Sequence, residues 1–279
     1  MNPMIRKELR QRMRERRAWI LPTLYLGVLG GVVALTYYVS TEGSFESAFR
    51  PARDIQGSAI GAAVFLAVIM SQLALLMLLA PIFSAGAITI EKEQRTLAGL
   101  LTSLLTPFQI WAGKFTAAMM FLVLLLISSV PVLALCFSLG GVGWSDVAAA
   151  FGMTLAILAS IGAIGLYCSS YFRRSVHSTA VCYAVVIAIS VLTAIAAYML
   201  ASSWQARHPV TQAAQIQPNP PGYLMAPLYL NPFYALISVF APREGKVPTW
   251  AKCLALFLAM TVLFSLLAIQ NIKRRGEQA

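Results

Sequence analysis

Long apolar runs separated by short polar islands organise this chain. Residues 55–90 contain no Asp, Glu, Lys or Arg, and neither do residues 115–145. Each run exceeds the roughly 20 residues needed to cross a bilayer as a helix. Read in order, the pattern predicts six spans, at about 18–40, 58–88, 108–139, 147–171, 176–201 and 250–271. The loops between spans three and four and between four and five are so short that these spans must return antiparallel. Pro81 is placed to kink the second span near its end. The predicted fold class is an all-α polytopic membrane protein with one six-span domain over 18–271.

Three stretches depart from this rhythm. Residues 1–17, MNPMIRKELRQRMRERR, carry seven Lys/Arg, and Ile5, Leu9 and Met13 repeat every four residues. Either a plain basic topology tail or an N-terminal amphipathic interfacial helix on anionic headgroups fits this composition. Residues 202–249 hold eight prolines and no Asp, Glu, Lys or Arg between Arg207 and Arg243. Inside that loop Leu228 to Ala241 is apolar but too short to span, which predicts short re-entrant or interfacial helices before span six.

The third stretch is 91–107, EKEQRTLAGLLTSLLTP, between spans two and three. Leu97, Leu100, Leu101, Leu104 and Leu105 form one apolar stripe at helical spacing. Glu91, Lys92, Glu93, Gln94 and Arg95 crowd its first turns, with Glu91 four residues before Arg95 for a surface ion pair. Pro107 is expected to limit the helix. A short amphipathic helix between two spans lies at the membrane surface with its polar side free, whether as a binding element or as a connector that is merely helical.

Charge fixes the orientation. With the N-terminus inside, fifteen of the 21 Lys/Arg fall on the cytoplasmic side and six outside, as the positive-inside bias requires. Residues 91–107 and the basic tail 272–279 are then cytoplasmic, and the Pro-rich loop is external. The five tryptophans all fall at predicted span ends. The net charge of +11 thus reflects membrane topology rather than nucleic-acid binding, which would need the basic residues on one soluble face.

Little catalytic chemistry is available. Gly113-Lys114 is followed by Phe115 and Gly245-Lys246 by Val247, so neither is a phosphate-binding loop. No carboxylate lies deep in a span, and His177 sits beside Arg174 at a span end, so no catalytic or metal-binding set can be assembled. Cys136, Cys168, Cys182 and Cys253 read as small buried side chains. The spans also lack the buried ionisable group an ion-coupled carrier uses. Gly27 with Gly31 and Gly57 with Gly61 have the spacing of helix-contact glycines.

The run from Gly86 to Lys114 resembles the cytoplasmic segment of type 2 ATP-binding-cassette (ABC) exporter permeases. The shared features are Gly86, the acidic-basic-acidic patch Glu91 to Glu93, Thr96-Leu97, Leu100-Leu101, Pro107 and Gly113-Lys114. NPMIRKELR at the N-terminus and Asn231-Pro232-Phe233 in the Pro-rich loop are also similar to that family. Residue 95, an Arg, departs from the small residue many relatives carry. The resemblance implies that 91–107 is the coupling helix that docks on a separate ATPase subunit. Glu91, Glu93, Arg95 and Thr96 are then the expected ATPase contacts; Leu97, Leu100, Leu101, Leu104 and Pro107 are the expected packing residues. It further implies a non-enzymatic permease with no cofactor of its own, ATP and magnesium residing on the partner. A second permease subunit, identical or related, would complete the path in the cytoplasmic (inner) membrane of a prokaryote. Export of a hydrophobic, lipid-like or polymeric substrate is the expected function. A membrane-anchoring or assembly protein and a stand-alone secondary carrier are the alternatives.

Overall fold

The computed structural model describes residues 17–42, 53–94, 106–138, 140, 142–207, 222–240 and 248–276. Among these residues the chain is all-helical, with six candidate spans by length and composition. The elements are α1 (Arg17–Glu42), α2 (Arg53–Ser84), α3 (Thr89–Glu93), α4 (Pro107–Ser128), α5 (Val130–Ser138), α6 (Trp144–Tyr171) and α7 (Ser175–Arg207). A 3-10 helix (Gly222–Leu230), α8 (Pro232–Ile237) and α9 (Thr249–Gly276) complete the order.

The fourth span, α6, is the axis of the bundle. Of its most apolar stretch 61% is buried, against 11% for α1 and for α7. It packs against α2, α4, α7 and α9, while α1 lies outside, against α2, α4 and α5. Buried Ala156, Ser160, Ala163, Ser169 and Ser170 keep its surface small enough for close approach. Between apolar helices in lipid, such close packing and interhelical hydrogen bonds hold the bundle together, because lipid itself is as apolar as leucine.

The glycines that matter for this packing are Gly162 and Gly165. A Cβ at Gly165 would lie 2.0 Å from Ser84 Oγ and 2.7 Å from Ser84 Cβ. One at Gly162 would meet Met119 Sδ at 3.3 Å. The pair expected from spacing, Gly27 and Gly31, has nothing within 4 Å of the corresponding positions.

Several boundaries differ from the sequence reading. The third span is not continuous: Ser129 interrupts it, and Pro131 in the second position of α5 gives the reason. Proline donates no hydrogen bond and clashes with the carbonyl four residues earlier, so the helix restarts there. Ser129 closes the break by donating from both Oγ (2.7 Å) and backbone N–H (3.3 Å) to Leu126 O. The helix α2 ends at Ser84, while the candidate span continues through the turn and α3 to Glu93. Pro107 opens the next element. It is the first residue of α4, capped by Thr106, whose Oγ1 accepts from the Gln109 N–H while Gln109 Oε1 accepts from the Thr106 N–H. Between α5 and α6, Gly140 takes a φ of 85°, which favours glycine.

In the Pro-rich region, the apolar residues 228–237 form the end of the 3-10 helix and α8, joined at Asn231. Asn231 Oδ1 caps α8 by accepting from the Phe233 and Tyr234 N–H groups. Its Nδ2 donates to Ser190 O and Thr193 Oγ1 on α7 at 2.9 and 3.0 Å. Residues 1–16, where most of the expected interfacial helix falls, lie outside the described residues.

Candidate functional site

The site builds up where α2 gives way to α3. After Ser84 the chain turns through residues 85–88 and forms one short helix, Thr89–Glu93. Ala85, Gly86, Ala87, Ile88 and Thr89 are all buried. Their backbone groups therefore need partners inside the protein. Ile88 and Thr89 donate their N–H groups to Ser169 Oγ of α6, at 2.8 and 3.0 Å. Ala85 O accepts from Ser178 Oγ of α7 at 2.8 Å and from Thr89 Oγ1 at 3.3 Å. Ala87 and Ile88 rest on Leu166 and Ile272, with Trp111 and Phe115 packed alongside.

Three consecutive charged residues then reach three different helices. Glu91 binds Lys114 of α4, Oε1 to Nζ 2.5 Å, with side chains only 19% and 7% exposed. Lys92 turns to the C-terminus of α6, where Nζ donates to Ser169 O (2.6 Å), Ser170 O (2.8 Å) and Phe172 O (2.7 Å). These carbonyls belong to the last turn of α6 and the residue that follows it, where intrahelical donors run out. The ammonium also complements the negative end of the helix dipole. Glu93 Oε1 accepts from the Ser175 N–H at 2.7 Å and Ser175 Oγ at 2.9 Å, so a carboxylate caps the first turn of α7.

α3 and α6 therefore cap each other. The Ser169 side chain serves the start of α3, and the Lys92 side chain serves the end of α6. Asn271 of α9 adds a bond from Nδ2 to Ser170 Oγ at 3.3 Å.

Of the residues singled out from sequence, Glu91 and Glu93 come together here and Pro107 begins α4. Arg95, Thr96, Leu97, Leu100, Leu101 and Leu104 lie outside the described residues. Glu91 is directed into the protein, whereas Glu93 is exposed and keeps a water-facing side. Lys92 and Ser169 are the residues that sequence reasoning missed. The one available signal was that Lys92 sits between two carboxylates at the mouth of an apolar span. Among the described residues no cluster of three or more His, Cys, Asp or Glu could hold a metal ion. The four cysteines are free and buried.

A bundle of six apolar helices, each long enough to cross a bilayer, defines an integral membrane protein. The chain matches the family of ABC-2 family transporter proteins over residues 3–275, and it belongs to that family. It is thus an ABC transporter permease, a membrane transport subunit and not itself an enzyme. Comparison with curated proteins gives no match.

Proposed function

We propose that this permease exports a hydrophobic, lipid-like or polymeric substrate, driven by a separate ABC ATPase subunit that docks on residues 91–107 from the cytoplasm. The observation that carries this reading is the way Glu91, Lys92 and Glu93 tie the start of that segment to α4, α6 and α7. A segment that served only to connect two spans would not need a bond to each of three helices. Glu93, Arg95 and Thr96 supply the polar contacts to the ATPase. Glu91 serves the interface from behind by fixing α3 to α4. Leu97, Leu100, Leu101 and Leu104 pack the segment onto the membrane domain.

A second permease subunit, identical or related, faces this one, and the path lies between them. The uncovered apolar surfaces of α1 and α7, including Leu24, Leu35, Leu192 and Ile195, support that pairing as well as contact with lipid. The end of the bundle carrying α3 is cytoplasmic, with both termini on that side, in the inner membrane of a prokaryote. ATP and magnesium reside on the ATPase, whose closure moves residues 91–107 and biases the membrane domain between two states.

The test is affinity purification of the tagged chain from its native membrane, for wild type and for Arg95→Glu combined with Thr96→Arg. An ABC ATPase should accompany the wild type and be lost from the folded variant. Absence of any ATPase under conditions that preserve membrane complexes would overturn the reading.

A further inference from the structure

We infer that Lys92 is the residue that transmits movement of the ATPase-docking segment to α6, and so to the whole bundle. The inference rests on the docking reading above and deepens it by assigning the internal path.

The argument starts from connectivity. α4 follows residues 91–107 directly in sequence, and α2 precedes them, so both feel a displacement of the segment through the backbone. The C-terminus of α6 has no such adjacent link, since it lies 77–80 residues away from Lys92 along the chain. Yet α6 is the helix that α2, α4, α7 and α9 all pack against. A device that moves the bundle as one body must grip it.

Lys92 is built to do so. An ammonium has three donors and no acceptor. All three find carbonyls at the end of α6, at 2.6–2.8 Å, in the range of charge-assisted bonds. A tripod resists displacement in every direction, unlike a single bond, which pivots. Glu93 reaches α7 from an exposed position where water competes, and Glu91 reaches a helix already joined to the segment by the chain. Among the described residues, Lys92 is the charged side chain of the segment that holds α6. It acts through α6 and is a positioning residue.

The experiment uses the full permease co-purified with its ATPase in lipid nanodiscs. Hydrogen exchange of α6 and α9 peptides is compared between the nucleotide-free and the ATP-orthovanadate-trapped complex, omitting the last turn of α6, which Lys92 itself caps. In wild type, trapping should change exchange in both helices. In Lys92→Met, which keeps the apolar stem but no donors and leaves the contact residues Glu93, Arg95 and Thr96 in place, the nucleotide-dependent change should be lost from the complexes that retain the ATPase. Lys92→Arg should restore it. Ser169→Ala removes the other half of the mutual cap but leaves the tripod, so it should lower thermal stability and keep the change.

The inference is overturned if Lys92→Met keeps the full nucleotide-dependent change, if it loses the ATPase altogether, or if Ser169→Ala loses the change equally. It also falls if wild type shows no change in α6 and α9 with the ATPase bound and turning over. If wild type brings down no ATPase, the docking reading itself has failed, and the purification reports that separately. Should Lys92→Met not assemble, Lys92→Gln, with a shorter uncharged donor, reads the same loss.

Discussion

Breaking the bond between Glu91 and Lys114 should cost more than removing both of its partners. At an effective dielectric of about 20, unit charges separated by the observed 2.5 Å attract by roughly 6 to 7 kcal/mol. Most of that is offset by desolvation, because the two side chains keep only 19% and 7% of their exposure. Lys114→Met takes the Lys114 charge away from the part-buried Glu91 carboxylate, and Glu91→Gln takes the Glu91 charge away from an ammonium nearly out of water. Stranding one member of a buried pair costs about 3 to 5 kcal/mol, and the residual access of water to Glu91 places Lys114→Met near the lower end. Glu91→Gln with Lys114→Met removes both charges and should cost about 1 to 2 kcal/mol, since a buried pair replaced by neutral groups is often close to break-even. The four buried cysteines supply the assay. A thiol-specific fluorophore reports their exposure as the purified chain is heated in detergent. The double variant should unfold above both single variants, which is the signature of a coupled pair. A double variant that unfolds below both, by the sum of their separate effects, would show that the two groups act independently and refute the reasoning.

Three further outcomes are expected from the same assay or from hydrogen exchange. Gly165→Ala forces a Cβ to within 2.0 Å of Ser84 Oγ, an overpacking worth about 1 to 3 kcal/mol; adding Ser84→Gly should recover most of the lost stability. Ser169→Ala strands the buried Ile88 and Thr89 N–H groups and should cost about 2 to 4 kcal/mol, read as an earlier midpoint of cysteine exposure. Asn231→Leu removes the α8 cap together with the bonds to Ser190 and Thr193; a loss of about 1 to 3 kcal/mol should appear as faster exchange confined to 232–240 and the facing turn of α7.

What could be read from the sequence depended on the distance between partners. The spans follow from uncharged runs, a property of consecutive residues, and six candidate spans are present among the described residues, the third divided at Ser129. The break at Ser129 is also local, and Pro131 carried it, but a uniformly apolar context hid it. Glu91 shows where local reasoning stops. The sequence offers Arg95 four residues on, which lies outside the described residues, and gives no hint of Lys114, 23 residues away, which the carboxylate also reaches. Lys92 looks like an ordinary solvated cation because its three acceptors are backbone carbonyls, which have no residue identity to recognise. The glycines make the same point: Gly27 and Gly31 share the spacing of a packing motif. Only the tertiary arrangement selects Gly162 and Gly165, by bringing Met119 and Ser84 against them.

The mutual capping of α3 and α6 also imposes an order on biogenesis. When the ribosome has delivered the first three spans, the N–H groups of Ile88 and Thr89 have no Ser169, Lys92 has no carbonyls to bind, and Glu93 has no helix start to cap. Each of those groups waits for a partner that lies 77 to 82 residues further along the chain. The nascent protein must therefore keep this junction in water, or under the cover of the insertion machinery, until α6 and the start of α7 emerge. A chain truncated before residue 169 should be recognised by membrane quality control at this junction, however well its early helices have inserted.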